Sequence, residues 1–174
     1  MTTPEDLKKY VRDVPDYPQK GIIFRDITPL LGEKHIFREV VDLMSKSWTA
    51  SPPDLVAAIE ARGFIPGAAI AVKLGAGFVP IRKTGKLPWT TVVESYELEY
   101  GTDQLEVHSD AVQPGQKVLI VDDVLATGGT ASAAVRLMRK LGADVVGVQV
   151  LIELSYLDGR KRLNEVKLVS EIVY

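Results

Sequence analysis

The chain has 174 residues, 46% of them hydrophobic, which suits one domain with a real core and excludes a disordered chain. Twenty-one Lys and Arg against 23 Asp and Glu leave a net charge of −2, so no global electrostatic case exists for nucleic acid or an anionic membrane. With no cysteine, disulfides, thiolate metal sites and cysteine nucleophiles are excluded, and the two histidines, His35 and His108, are too far apart in sequence to suggest a metal site.

Thr3, Pro4, Glu5 and Asp6 read as a helix start, with the helix running to about Arg12. No basic stretch leads into an apolar one there, so a signal peptide is not expected. "VPDYPQKG" is turn-rich. Ile36, Phe37, Val40, Val41, Met44 and Trp48 share one helical face, and Ser51, Pro52 and Pro53 stop that helix. Asp54 to Glu60 is short, apolar and bounded by breakers, as a buried strand is. An alanine-rich helix follows and ends at Gly75. "GFVPI" predicts a second strand and "KVLIVDD" a third. Ala131, Ala134, Val135, Met138 and Leu141 mark the next helix, closed by Gly142, and "DVVGVQVLIEL" a further buried strand. The most apolar region, Gly63 to Ile81, is interrupted by Pro66, Lys73 and glycines and makes a poor membrane span. A soluble cytoplasmic protein is expected.

Continuous apolar strands alternating with helices predict an α/β fold, a mostly parallel sheet covered on both faces. Ligands bind such sheets at the C-terminal strand ends. Three motifs fall there: "EARG", "RKTGK" and "DDVLATGGT". One shared site is the natural reading.

In the last motif, Gly128 and Gly129 let the backbone approach a ligand, and Thr127 and Thr130 add hydroxyls. The helix that begins near Gly129 presents free N–H groups and the positive end of its dipole. That is a phosphate cradle, with an ordinary turn capped by Thr130 as the alternative. Asp122 and Asp123 are consecutive strand residues, point to opposite faces and need not share a task. A nucleotide hydrolase would also need GxxxxGK[ST], but Pro80 and Leu87 break that pattern around Lys86. Gly75–Gly77 fails as a dinucleotide fingerprint because Pro80 stands where the third glycine belongs. A phosphate loop beside acids suited to sugar hydroxyls implies a ribose 5-phosphate unit.

"VLIVDDVLATGGT" resembles the 5-phosphoribosyl-1-pyrophosphate (PRPP) motif of the type I phosphoribosyltransferases. "GIIFRDITPLL" and "ESYELEYG" resemble the adenine branch, and "EARGF", "IRKTGKLP" and "IELSYLDGR" agree in order and spacing. The resemblance runs from about Leu7 to the end of the sequence. It implies one phosphoribosyltransferase domain over 1–174, with an N-terminal helix and base-binding hood over about 1–33 and a flexible catalytic loop over about 82–102.

The resemblance also implies roles. Ala126, Thr127, Gly128, Gly129 and Thr130 hold the 5-phosphate, and Asp122 and Asp123 the ribose hydroxyls. Ala61 and Arg62 form the pyrophosphate loop, although Arg62 read alone also suits an ion pair with Glu60 or another acid. Arg82, Lys83 and Lys86 contact pyrophosphate, against a solvated basic surface as the plain alternative. Arg82 can act across a dimer interface. Glu99 handles a proton on the imidazole edge of adenine and Tyr100 helps close the lid, where otherwise a solvated acidic strand edge would be read. Phe24 stacks on the purine and the Ile23 backbone addresses its edge, the alternative being a packed strand. Leu125 and Leu154 form the opposite wall, and Arg25 either reaches the site or pairs with Asp26.

The implied reaction joins adenine to PRPP, giving AMP and pyrophosphate. Mg2+ would be held by substrate and water near Asp122, with no direct protein ligation. A homodimer is implied, with no nucleic-acid or membrane partner. The rivals are a hypoxanthine, guanine or xanthine phosphoribosyltransferase, whose base-recognition residues come late in the chain, and a PRPP-sensing regulator, which usually carries an added DNA-binding domain or a basic face. "FIPGAAIA" and the acid-rich "VVESYELEYG" depart from the family's commoner wording without touching a phosphate contact.

Overall fold

A strand as apolar as Leu55–Ile59 needs cover on both faces, and the computed structural model supplies it. Residues 3–97 and 102–174 are described. In chain order they form α1 (Pro4–Lys8), β1 (Arg12–Pro15), β2 (Ile23–Asp26), α2 (Thr28–Gly32), α3 (Lys34–Lys46), β3 (Leu55–Ile59), α4 (Phe64–Leu74) and β4 (Gly77–Lys83). Then follow β5 (Thr91–Glu97), β6 (Thr102–His108), β7 (Lys117–Leu125), α5 (Gly129–Lys140), β8 (Asp144–Glu153), two 3-10 turns (Ser155–Leu157 and Gly159–Leu163) and β9 (Leu168–Val173).

The main sheet has seven strands in the order β5-β6-β4-β3-β7-β8-β9. β4, β3, β7, β8 and β9 run parallel, and the β5–β6 hairpin joins antiparallel through β6. Period-two alternation sorts the buried residues into two cores. Ala57, Ile59, Val118 and Ile120 face α5, while Val56, Leu119 and Val121 face α3 and α4. The chain leaves β3 toward β4 and leaves β7 toward β8, in opposite directions across the sheet. The order therefore reverses between β3 and β7, and a crevice opens beyond their C-terminal ends.

Several boundaries differ from expectation. Thr3 caps α1 with a reciprocal Asp6 bond, as its sequence predicts, but α1 stops at Lys8. Arg12–Pro15 is recruited as a strand against β2 in a separate two-stranded sheet, so tertiary pairing overrides local helix pattern. α4 begins at Phe64, because Pro66 lies in its first turn, where a missing N–H costs nothing. Trp48 lies beyond α3 yet is buried, its Nε1 donating to Gln149 Oε1 at 2.8 Å. Within 82–102, expected as a flexible loop, 82–83, 91–97 and 102 are strand: Arg82 and Lys83 end β4 and pair with β6, and β5 pairs antiparallel with β6, whereas 84–90 are turn and irregular chain and 98–101 lie outside the described residues.

Candidate active site

β4, β3 and β7 are neighbours, so the three motifs meet at one sheet edge. Glu60 and Arg62 follow β3, Arg82 and Lys83 end β4, and Asp122 and Asp123 lie near the end of β7. The Glu60–Ala61 peptide is cis.

The two acids diverge, as strand alternation predicts. Asp123 has Oδ2 2.5 Å from Arg62 Nε, and that oxygen is buried without an aligned hydrogen bond. Asp122 Oδ1 accepts the Asp123 amide at 2.8 Å. Burial pushes the Asp122 carboxyl well above the usual range, and the Asp123 charge adds to the push. Gly63 lets α4 start against this acid, since a Cβ there would lie 2.8 Å from Asp122 Oδ1 and 2.4 Å from the Ile59 carbonyl.

Arg62 thus pairs with an acid, but with Asp123 rather than Glu60. Its guanidinium also lies over the Phe24 ring, 4.4 Å from the centroid, and donates to the Arg25 carbonyl at 3.3 Å. One side chain ties the proposed ribose acid to the proposed base hood.

Glu60 organises the basic cluster instead. Its carboxylate is 2.8 Å from Arg82 Nε and 2.6 Å from Lys86 Nζ, and it accepts the Lys83 amide at 3.1 Å. Burial pushes the Glu60 carboxyl up, but the bonds from Lys86 and Arg82 outweigh it and hold the group below its usual value. Lys83 contacts Asp103 and the Tyr96 hydroxyl. Burial alone would lower its pKa; the Asp103 and Tyr96 bonds raise it. Glu106 Oε1 accepts the Lys86 and Leu87 amides at 2.8 and 2.9 Å and fixes the intervening turn. The cluster is a paired network, not a solvated basic surface. Arg82 reaches its own chain's Glu60.

The expected phosphate loop lies between β7 and α5. Gly128, not Thr130, is the N-cap, with φ +80°. Asp122, Leu125, Ala126, Thr127, Gly128, Gly129 and Thr130 help line a cavity of about 80 Å3, a few water volumes. That suits a tetrahedral anion at a helix N-terminus.

In the hood, Ile22 and Ile23 are exposed and Phe24 is half-buried, so β2 is not core packing. Phe24 meets Tyr17 edge-on, with centroids 5.1 Å apart. Arg25 pairs with Asp13, not Asp26, whose partner is Arg12 at 3.7 Å. Leu125 and Leu154 are 2% and 9% exposed and pack in the two cores, so their side chains offer little surface to a base. Glu99 and Tyr100 lie outside the described residues.

The family model for the phosphoribosyl transferase domain matches residues 29–173. The chain belongs to the phosphoribosyl transferase family. It is 61% identical over 169 residues to a Thermotoga maritima protein named adenine phosphoribosyltransferase, covering 97% of this chain and 98% of that one. A crystal structure of adenine phosphoribosyltransferase from Thermoanaerobacter pseudethanolicus superposes with a TM-score of 0.96 at 50% identity, over 99% of this chain and 100% of that one. The Saccharomyces cerevisiae enzyme, solved with adenine and an imino-altritol bisphosphate, gives 0.91 at 35%, over 97% and 98%.

The expected α/β architecture of this phosphoribosyltransferase is borne out. Among its described residues no group of three or more His, Cys, Asp or Glu could hold a metal. Two adjacent acids fit an ion that takes most of its oxygens from phosphate and water. Sequence reasoning missed the Glu60 hub, having read Glu60 only as an Arg62 partner. It also missed Tyr174, whose ring lies 3.8 Å from the Arg25 guanidinium carbon. The three charged residues of "RKTGK" and a single acid closing the apolar "DLVAAIE" were the available signal for Glu60; for Tyr174 there was none.

Proposed function

We infer that this chain transfers the 5-phosphoribosyl group of PRPP to adenine, giving AMP and pyrophosphate in purine salvage. The observation that carries this is the reach of Arg62 from Asp123 to the Phe24 ring, beside a cavity of phosphate size. The near full-length similarity to proteins named for the same reaction supports it.

Ala126 to Thr130 seat the 5-phosphate through amides and hydroxyls, and Asp122 and Asp123 accept hydrogen bonds from the ribose diol. Ala61, Arg62, Arg82, Lys83 and Lys86 take the pyrophosphate, the cations exchanging Asp123, Glu60 and Asp103 for phosphate oxygens. The C1–O bond breaks through an oxocarbenium-like state, N9 of adenine bonds to C1, and the departing electron pair stays on pyrophosphate. Arginine and lysine stabilise that leaving charge in a crevice closed to water. Ile23, Phe24 and Arg25 hold the base. Glu99 takes the imidazole proton and Tyr100 closes the lid over it. Mg2+, held near Asp122 by substrate and water, supplies charge neutralisation of the pyrophosphate when bound.

A homodimer is supported by α4, where Ile65, Ala68 and Val72 are exposed at i, i+3 and i+7, beside exposed Phe78. Light scattering should give twice the chain mass, and Val72→Glu should give the monomer. The working place is the cytoplasm; among the described residues no helix is long and apolar enough to cross a membrane.

Purified protein with Mg2+, PRPP and each purine base tests the reaction. AMP should form from adenine. Accumulation of IMP or GMP without AMP would overturn the base assignment, and PRPP binding without turnover would favour a sensor.

A further inference from the structure

The phosphate loop is not self-supporting. Its backbone rests on Gly159, in the turn after β8, which is buried. A Cβ on Gly159 would lie 2.1 Å from the Ala126 carbonyl oxygen and 2.9 Å from the Gly128 amide nitrogen. A Cβ on Gly128 would lie 2.4 Å from the Gly159 carbonyl oxygen. Two backbones therefore touch where any side chain would separate them. Gly159 has no positive φ, so close approach alone explains it.

The next residue anchors this turn. Arg160 grips Glu153 with both arms, Nε to Oε1 at 2.9 Å and Nη2 to Oε2 at 2.5 Å. Arg160 Nη2 also donates to Ser170 Oγ at 3.1 Å, and Ser170 Oγ donates to Glu153 Oε2 at 2.5 Å. Glu153 is 5% exposed, so this is a charge-assisted, two-point pair at a largely buried carboxylate. The Arg160 and Ser170 bonds outweigh burial and hold the Glu153 carboxyl below its usual value. Glu153 stands in register with Leu125, and the Leu154 amide donates to the Leu125 carbonyl at 2.9 Å. Leu125 immediately precedes the loop. The end of β8 thus holds the loop's entry, and the turn that follows supports its floor.

We propose that Gly159, held in place by the Arg160–Glu153 pair, is a positioning residue for the phosphate-binding loop, setting the height of the Ala126 to Gly128 backbone under the 5-phosphate. The inference rests on the reading that this loop seats that phosphate. It deepens that reading by naming what pre-organises the seat. The crowding is with backbone atoms, which cannot rotate aside, so an added methyl at 159 must lift or tilt the loop. Ligands carrying a 5-phosphate lose affinity; pyrophosphate, bound at the ends of β3 and β4, does not.

Ribose 5-phosphate and pyrophosphate binding by calorimetry, with steady-state kinetics in PRPP, form the test. For Gly159→Ala the dissociation constant of ribose 5-phosphate and the KM for PRPP should rise about tenfold to a hundredfold, with kcat changed less and pyrophosphate affinity unchanged. Arg160→Met should show the same selectivity at smaller amplitude, and Arg160→Lys should recover part of it. If Gly159→Ala does not fold, Arg160→Met and Arg160→Lys decide. Ribose 5-phosphate bound as in the parent, or both ligands weakened alike, would overturn the proposal. Thr130→Val separates the two layers. If it leaves ribose 5-phosphate binding untouched, the loop reading itself is wrong. If it weakens binding while the Gly159 and Arg160 variants do not, only the positioning role is wrong.

Discussion

Arg62 and Asp123 form an ion pair across the crevice between β3 and β7, with Nε 2.5 Å from Oδ2. The acid is 9% exposed and the base 30%, so the pair is neither a surface contact nor fully dry. It joins two strand ends that meet only in the folded sheet, and the same guanidinium covers Phe24.

Arg62→Ala should therefore destabilise the protein by about 1–2 kcal/mol, less than a fully buried pair because Arg62 is partly solvated. Arg62→Lys should restore charge without the planar stack on Phe24 and recover only part of the loss. Urea denaturation checks this; midpoints equal to the parent's would mean the pair contributes nothing.

Asp122 sets a pH dependence. Its folded pKa is raised by burial and by Asp123, so the folded state keeps its proton where the unfolded chain has lost it. The stability linked to this proton is full below the unfolded value and lost as pH rises through the folded one. Asp122→Asn removes that loss. Its stability relative to the parent should increase as pH rises from the ordinary carboxylate range toward and beyond neutrality, while transferase activity falls. Denaturation midpoints at pH 4, 6 and 8 measure it, and a constant difference would contradict the assignment.

Glu60 holds both Arg82 and Lys86, the cations proposed to take the pyrophosphate. Glu60→Gln should cost about 1–3 kcal/mol, because two cations lose their shared counter-charge. Pyrophosphate should restore more stability to the variant than to the parent, by supplying the missing negative charge. Melting temperatures with and without pyrophosphate decide it; equal shifts would count against Glu60 as a placeholder for the ligand.

Tyr174 steadies the hood from behind through its ring on Arg25. Tyr174→Ala should raise KM for adenine about two- to fivefold, the equivalent of roughly 0.5–1 kcal/mol, with KM for PRPP unchanged. Tyr174→Phe should behave like the parent. Equal rises in both constants for the alanine variant would point to general loosening instead.

The local structure of the proposed phosphate half is legible in "DDVLATGGT", because a strand end, a glycine-rich turn and a helix start are consecutive in the chain. The base half is less so. Phe24 is recognisable by resemblance, but that it lies under Arg62 and that Arg25 takes Asp13 as partner depend on how a separate two-stranded sheet docks. Local pattern also leaves 91–97 without a strand signal, since these residues gain their strand character from pairing across β5 and β6.

By itself, then, the amino-acid order determined the alternation of buried strands and amphipathic helices, the family, and the loop at the start of α5, since each is written in contiguous residues through periodicity and turn chemistry. Only tertiary structure decided which charges pair. Glu60 finds Arg82 and Lys86 rather than Arg62, Arg62 finds Asp123, and Gly159 finds Ala126 and Gly128. These partners are 22 to 61 residues apart for the ion pairs and are neighbours only because the sheet order brings β4, β3 and β7 side by side. Coulomb and steric forces act over a few ångströms of space, whatever the distance along the chain.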